Sequence, residues 1–166
     1  MIIAEVKPLP VSRKKEDQDL MYRKLELKMQ QLGHLVSFRE QLNWEHSLHA
    51  VEIEKEALQK LRKTAAKSDG VLLLYAKLLK GTVYQHIILH PNTEGFYLPF
   101  RFDSPFYIEV NRKKIWIGSS IRLQEELNWL KLTIQESQDE KAKAAWQTYQ
   151  ELCQQSIATC SPIVFA

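Results

Sequence analysis

The sequence predicts an α+β fold: an N-terminal helical hairpin and two C-terminal helices packed on one face of a four-stranded antiparallel meander. Three observations lead there. Apolar residues recur at helical intervals up to about Lys67 and again beyond Ser119, whereas Thr82 to Gly118 follows a period of two. Nine of the 16 Phe, Tyr and Trp residues lie between Tyr75 and Trp116, which suits a sheet. At 166 residues the chain is in the size range of one core, so 1–166 is read as a single domain.

Residues 1–11 alternate weakly and contain Pro8 and Pro10, which leaves an extended arm with at most a short edge strand. The segment 12–67 is read as the helical hairpin. Leu20, Leu25, Met29 and Leu32 make the inner stripe of its first helix, and Gly33 supplies the stop. Phe38, Leu42, Leu48, Val51, Ile53, Leu58 and Leu61 make the second stripe, running to about Lys67. An alternative is one continuous helix through Gly33. Leu25, Met29, Leu32 and Val36 match a heptad seam, which would give a homodimer through residues 20–61, but Asn43 and His46 interrupt its continuation.

Ser68-Asp69-Gly70 punctuates the chain, and Val71–Lys80 is ambiguous between helix and strand. Leu72, Tyr75, Ala76 and Leu79 share a helical face, which favours helix. The sheet is expected over 82–118. If residues 90–95 connect the first hairpin, Leu89 faces Phe96, Ile87 faces Leu98 and Val83 faces Phe102. In the second, Asn111-Arg112-Lys113-Lys114 turns the chain, so that Val110 faces Ile115 and Ile108 faces Ile117.

The C-terminal helices occupy 119–160. Ser119 and Ser120 cap one whose inward residues are Ile121, Leu123, Leu127, Leu130 and Ile134. Ser137-Gln138-Asp139-Glu140 fits a capping box for the other, which buries Ala142, Ala145, Trp146, Tyr149 and Cys153. Ile163, Val164 and Phe165 then need a place to be buried or a contact to make.

Composition excludes several function classes. The longest apolar run, Gly70–Leu79, already contains Lys77 and is too short to cross a bilayer, and the first residues lack a secretory pattern, so a cytoplasmic location is expected. The net charge is +3, spread as 12 basic against 9 acidic residues over 12–67, 6 against 4 over 68–118 and 4 against 6 over 119–166. Mixed signs of this kind describe solvated faces rather than a nucleic-acid stripe. No phosphate-binding glycine loop, dinucleotide fingerprint or nucleophile elbow occurs, and no cofactor is implied. Cys153 and Cys160 lie two helical turns apart, too far to bridge along a straight helix, and have no zinc spacing.

Paired histidines, His46 with His49 and His86 with His90, have spacings that metals use, but no carboxylate motif completes a metal site. Ser119 or Ser120 with His86 and Asp103 would compose a hydrolytic set on paper only, since capping explains the serines.

The register that turns apolar residues inward leaves Tyr84, His86, Tyr97 and Arg101 on the outer side of the first hairpin and Tyr107, Glu109 and Trp116 on one side of the second. Aromatics mixed with a guanidinium and an imidazole suit recognition of a protein partner, although the same types also decorate ordinary half-buried strands. The expected function is that of a small interaction protein of adaptor, inhibitor or toxin-neutralising type, binding through this face. An enzyme or ligand receptor with a pocket fixed by His86, Arg101 and Glu109 is the alternative. Weak nucleic-acid binding through Arg112, Lys113 and Lys114 beside Trp116 is a third reading, set against the ordinary use of a charged hairpin tip to keep a turn soluble.

Overall fold

The computed structural model describes residues 1–9, 15–34, 42, 49–79, 81–91 and 94–165. Among these, six strands form one mixed sheet and seven helices surround it. The strands are β1 (Ile2–Val6), β2 (His49–Ile53), β3 (Phe96–Leu98), β4 (Phe106–Val110), β5 (Lys113–Ser119) and β6 (Ile163–Phe165). The helices are α1 (Lys15–Gln31), α2 (Lys55–Ser68), α3 (Leu73–Leu79), α4 (Gln85–Ile88), α5 (Ser120–Trp129), α6 (Lys131–Glu136) and α7 (Glu140–Thr159).

The spatial order is β2-β1-β6-β3-β5-β4. All neighbours are antiparallel except β3 and β5, which run parallel with Phe96 beside Ile117 and Leu98 beside Ser119. β6 lies in the middle, pairing Val6 with Ile163 on one side and Phe96 with Val164 on the other. This is where the apolar tail is buried.

Alternation along each strand produces two oily faces. Ile2, Ala4, Val6, Ile53, Tyr97, Trp116, Ile163 and Phe165 point to one, covered by α2, α5 and α7. Phe96, Leu98, Ile108, Val110, Ile117 and Val164 point to the other, covered by Met21, Tyr22, Leu25 and Met29 of α1 together with Leu9 and Leu42. The architecture is therefore three layers, with helices on both faces of the sheet.

Three helices stop in the same way. After α1, His34 N–H donates to Met29 O at 2.9 Å and Gly33 takes φ 94°. After α2, Val71 N–H reaches Ala66 O at 3.0 Å with Gly70 at φ 71°, and after α7 Ser161 N–H reaches Ser156 O at 3.0 Å with Cys160 at φ 51°. These are paired C-terminal bonds of the Schellman type, which need one left-handed residue. Gly33 thus ends the first helix.

Several expectations need correction. The N-terminal helical hairpin is not formed: the stretch read as its second helix holds β2, and Val51 and Ile53 are strand residues. Helix resumes only at Lys55. The arm carries β1, paired on both sides rather than at an edge. Of the heptad seam, Leu25 and Met29 are buried against the sheet while Leu32 is exposed, so a continuous seam for the homodimer through residues 20–61 is not supported. Val36, Phe38, Asn43, His46 and Leu48 lie outside the described residues.

The four-stranded antiparallel meander is replaced by the six-stranded mixed sheet. Its first hairpin does not exist, because residues 85–88 form the single turn α4 and Val83 is exposed. The second hairpin is present with its register moved by two: Ile108 faces Ile115 and Val110 faces Lys113. Asn111 and Arg112, at φ 52° and 63°, make a two-residue turn whose twist matches the strands, where a four-residue loop was expected. A shift of two preserves the faces, so the apolar residues stay together.

Three C-terminal helices replace the expected two, the first being divided at Leu130 into α5 and α6, and Ile121 and Trp146 are half-buried. Ser119 Oγ accepts from Arg122 N–H at 3.1 Å, and Leu123, Leu127, Leu130 and Ile134 are buried. Asp139, rather than Ser137, caps α7, accepting from Lys141 N–H and Ala142 N–H at 3.1 Å each. Val71–Lys80 contains helix α3, the favoured alternative.

Candidate functional site

The residues expected to share one outer face are separated. Tyr84, His86, Tyr97 and Trp116 are buried. Arg101 is exposed and bonded to Glu125 at 3.1 Å and Asp103 at 3.4 Å. Tyr107 and Glu109 are exposed on β4, opposite Trp116 and Lys114. Arg112, Lys113 and Lys114 are exposed at the β4–β5 turn, with Lys113 paired to Glu94 at 3.0 Å.

What the aromatics build is a polar knot inside the core, centred on α4. Glu126 of α5, fully buried, accepts from His86 N–H at 3.1 Å and Ile87 N–H at 3.0 Å, and lies 2.9 Å from His86 Nδ1. At the other end of the turn, Arg62 of α2 donates to Ile87 O at 3.1 Å and His90 O at 2.9 Å, while Tyr97 OH donates to His86 O at 2.7 Å. An acid at the amino end and a base at the carboxyl end match the dipole of the turn and satisfy backbone groups that a four-residue helix leaves open. His90 stacks on Tyr97 at 5.1 Å and meets Trp116 edge-on at 4.9 Å. Burial, and then the Arg62 charge, hold its pKa well below the usual 6.5. A depression of 550 Å³ opens beside this knot, lined by Arg62, His90, Tyr107 and Trp116 among others. Of the three residues expected to fix a pocket, His86, Arg101 and Glu109, none lines it.

A second arrangement lies at the corner where β2 runs into α2 and α7 begins. Glu52, Glu54 and Glu140 line a shallow depression of 290 Å³ there. Lys141 Nζ bonds Glu54 at 3.2 Å and Glu56 at 2.5 Å, Lys60 lies 3.4 Å from Glu56 and 3.6 Å from Asp139, and Lys143 lies 3.3 Å from Glu140. Hydrogen bonding from Lys141 lowers the pKa of Glu56, and the Ala142 N–H first and Lys60 later lower that of Asp139. The backbone beneath is firm, because Ile53, Ala57, Ala142 and Ala145 are buried and the alanines let α2 and α7 approach closely. The corner thus gathers five carboxylates, of which Glu56 and Asp139 are held toward the ionised form by their lysine and backbone N–H partners.

A family model described as "Putative DNA-mimic protein" matches residues 6–165. The chain belongs to this family. Nothing matches among curated proteins or among solved structures. Membership of the DNA-mimic family overturns the expected adaptor, inhibitor or toxin-neutralising role through an aromatic sheet face. That face is also consumed by the core, with Tyr97 and Trp116 at 0% and 2% exposure. The acids of the corner show in the sequence as Glu52-Ile53-Glu54-Lys55-Glu56 and Asp139-Glu140, set within a net charge of +3 and no denser than Glu16-Asp17-Gln18-Asp19.

Proposed function

We propose that this chain occupies the DNA-binding face of a protein partner, offering carboxylates where a duplex offers phosphates. The observation that carries the reading is the match to the DNA-mimic family over 6–165. A protein that binds duplex DNA gathers most of its affinity from lysine and arginine contacts to phosphate. A mimic needs anions on a frame stiff enough to meet those cations without a large ordering cost.

The net charge of +3 means that no long-range field draws the chain to a basic surface, so mimicry rests on a local group of acids. The presenting group is the corner of Glu52, Glu54, Glu56, Asp139 and Glu140. Its internal lysines are exchanged on binding, because exposed ion pairs are weak and the partner's cations replace Lys60 and Lys141 at the same oxygens. The lysines also keep the free corner from repelling itself.

The test is capture of DNA-binding proteins on the immobilised chain, with duplex DNA as competitor and a Glu52→Gln, Glu54→Gln, Glu56→Gln triple variant as control. Retained proteins are expected to bind duplex DNA when assayed alone, to be released by added duplex and to be lost with the triple variant. Retention insensitive to duplex DNA, or direct binding of DNA by this chain, would overturn the reading.

A further inference from the structure

Going beyond mimicry, α3 presents a surface that nothing within the described residues covers. Leu72, Leu74 and Leu78 are 68%, 66% and 68% exposed, and Tyr75 and Val83 are 56% and 52% exposed. Within α3 Leu73, Leu74, Tyr75 and Leu78 are apolar, and Leu74, Tyr75 and Leu78 face water. Large apolar side chains clustered in this way on a water-facing helix mark a contact surface.

We propose that a second copy of this chain covers α3, in a two-fold contact between the two α3 helices. Two features of the patch select this occupant. The first is area: five residues exposed to this extent offer on the order of 600 Å² per copy, so a contact covering all of it on both copies reaches about 1,200 Å², the lower bound of stable interfaces. The second is shape. Directly beside the Leu74, Tyr75 and Leu78 ridge lies a groove of 390 Å³ lined by Ala66, Gly70, Val71, Leu72 and Leu73. Ridge and groove on one chain are what an isologous contact requires, since each copy's ridge enters the other's groove.

The carboxylate corner involves neither α3 nor this groove, so the dimer stands or falls independently of mimicry.

Sedimentation velocity of the full chain tests the proposal. The wild type is expected to sediment as a dimer at tens of micromolar. Leu74→Glu combined with Leu78→Glu is expected to be monomeric with an unchanged circular dichroism spectrum, because both residues are already exposed. Leu132→Glu, equally exposed on α6 at 71%, is expected to leave the dimer intact. A wild type that remains monomeric at about 100 µM, an α3 variant that keeps the dimer mass, or a Leu132 variant that loses it would overturn the proposal.

Discussion

Glu126 grips His86 by two atoms at once: its Oε1 lies 3.1 Å from the backbone nitrogen and 2.9 Å from Nδ1, with both side chains wholly buried. The second oxygen takes Ile87 N–H at 3.0 Å, so one side chain accepts from two successive backbone N–H groups in the first turn of α4.

Replacing Glu126 by Leu strands those donors in the core, and the expected loss is about 3–5 kcal/mol, the range for breaking a buried charged network. Glu126→Gln keeps one accepting oxygen and should lose less. Urea unfolding followed by near-ultraviolet circular dichroism measures both. Equal midpoints for Glu126→Leu and wild type would show that α4 does not depend on this cap.

Gly95 adopts φ 106°, and a Cβ there would lie 2.8 Å from the backbone oxygen of Trp116. Gly95→Ala therefore combines a disfavoured backbone with a clash that no rotamer relieves, and should cost about 2 kcal/mol or more. Gly81 has nothing within 4 Å of its Cβ position and no positive φ. Gly81→Ala should be neutral or stabilise by about 0.4–1 kcal/mol. Thermal melts should place Gly95→Ala below wild type and Gly81→Ala at or above it.

His90 stays neutral in the fold because burial depresses its pKa below 6.5. As pH falls below 6.5 the unfolded chain takes up a proton that the folded chain refuses, so stability is complete above that value and declines beneath it. One such group lowers stability by at most about 1.4 kcal/mol per pH unit. Urea midpoints at pH 7 and pH 5 should differ less in His90→Phe than in wild type. An identical pH dependence in the two proteins would exclude His90 as its source.

Leu25 is fully buried where α1 meets the second face of the sheet. Leu25→Ala should cost about 2–5 kcal/mol, as for other buried leucines. A helix lying off the sheet would lose far less, so denaturant titration distinguishes the three-layer arrangement from a peripheral α1.

Features readable in the sequence were those with local causes. The stop at Gly33 needs only a left-handed residue after an apolar stripe, and the cap at Ser119 bonds Arg122, three residues on. The β4–β5 faces survive a wrong turn length because parity is preserved. What escaped depends on distant chain. Residues 83–89 alternate like a strand, yet α4 is a helical turn because Arg62, Tyr97 and Glu126, all remote in sequence, saturate its ends. No window around α4 contains that information. β2 was hidden for a similar reason: its pairing with β1 joins Ile53 to Ile2, while its own residues extend the apolar rhythm of α2. The carboxylate corner joins Glu54 and Glu56 to Lys141, a neighbourhood that exists only after folding.

The placing of β6 sets a timetable for the chain. Among the described residues it is the only strand joining the β2–β1 pair to the β3–β5–β4 group, so Val6 finds Ile163 only once nearly everything between them has been synthesised. Until then both halves present open edges to the cell, and long-range pairing of this kind is slow. A nascent or truncated product lacking Ile163–Phe165 would be two sticky half-sheets, a substrate for chaperones and proteases rather than a weakened version of the finished protein.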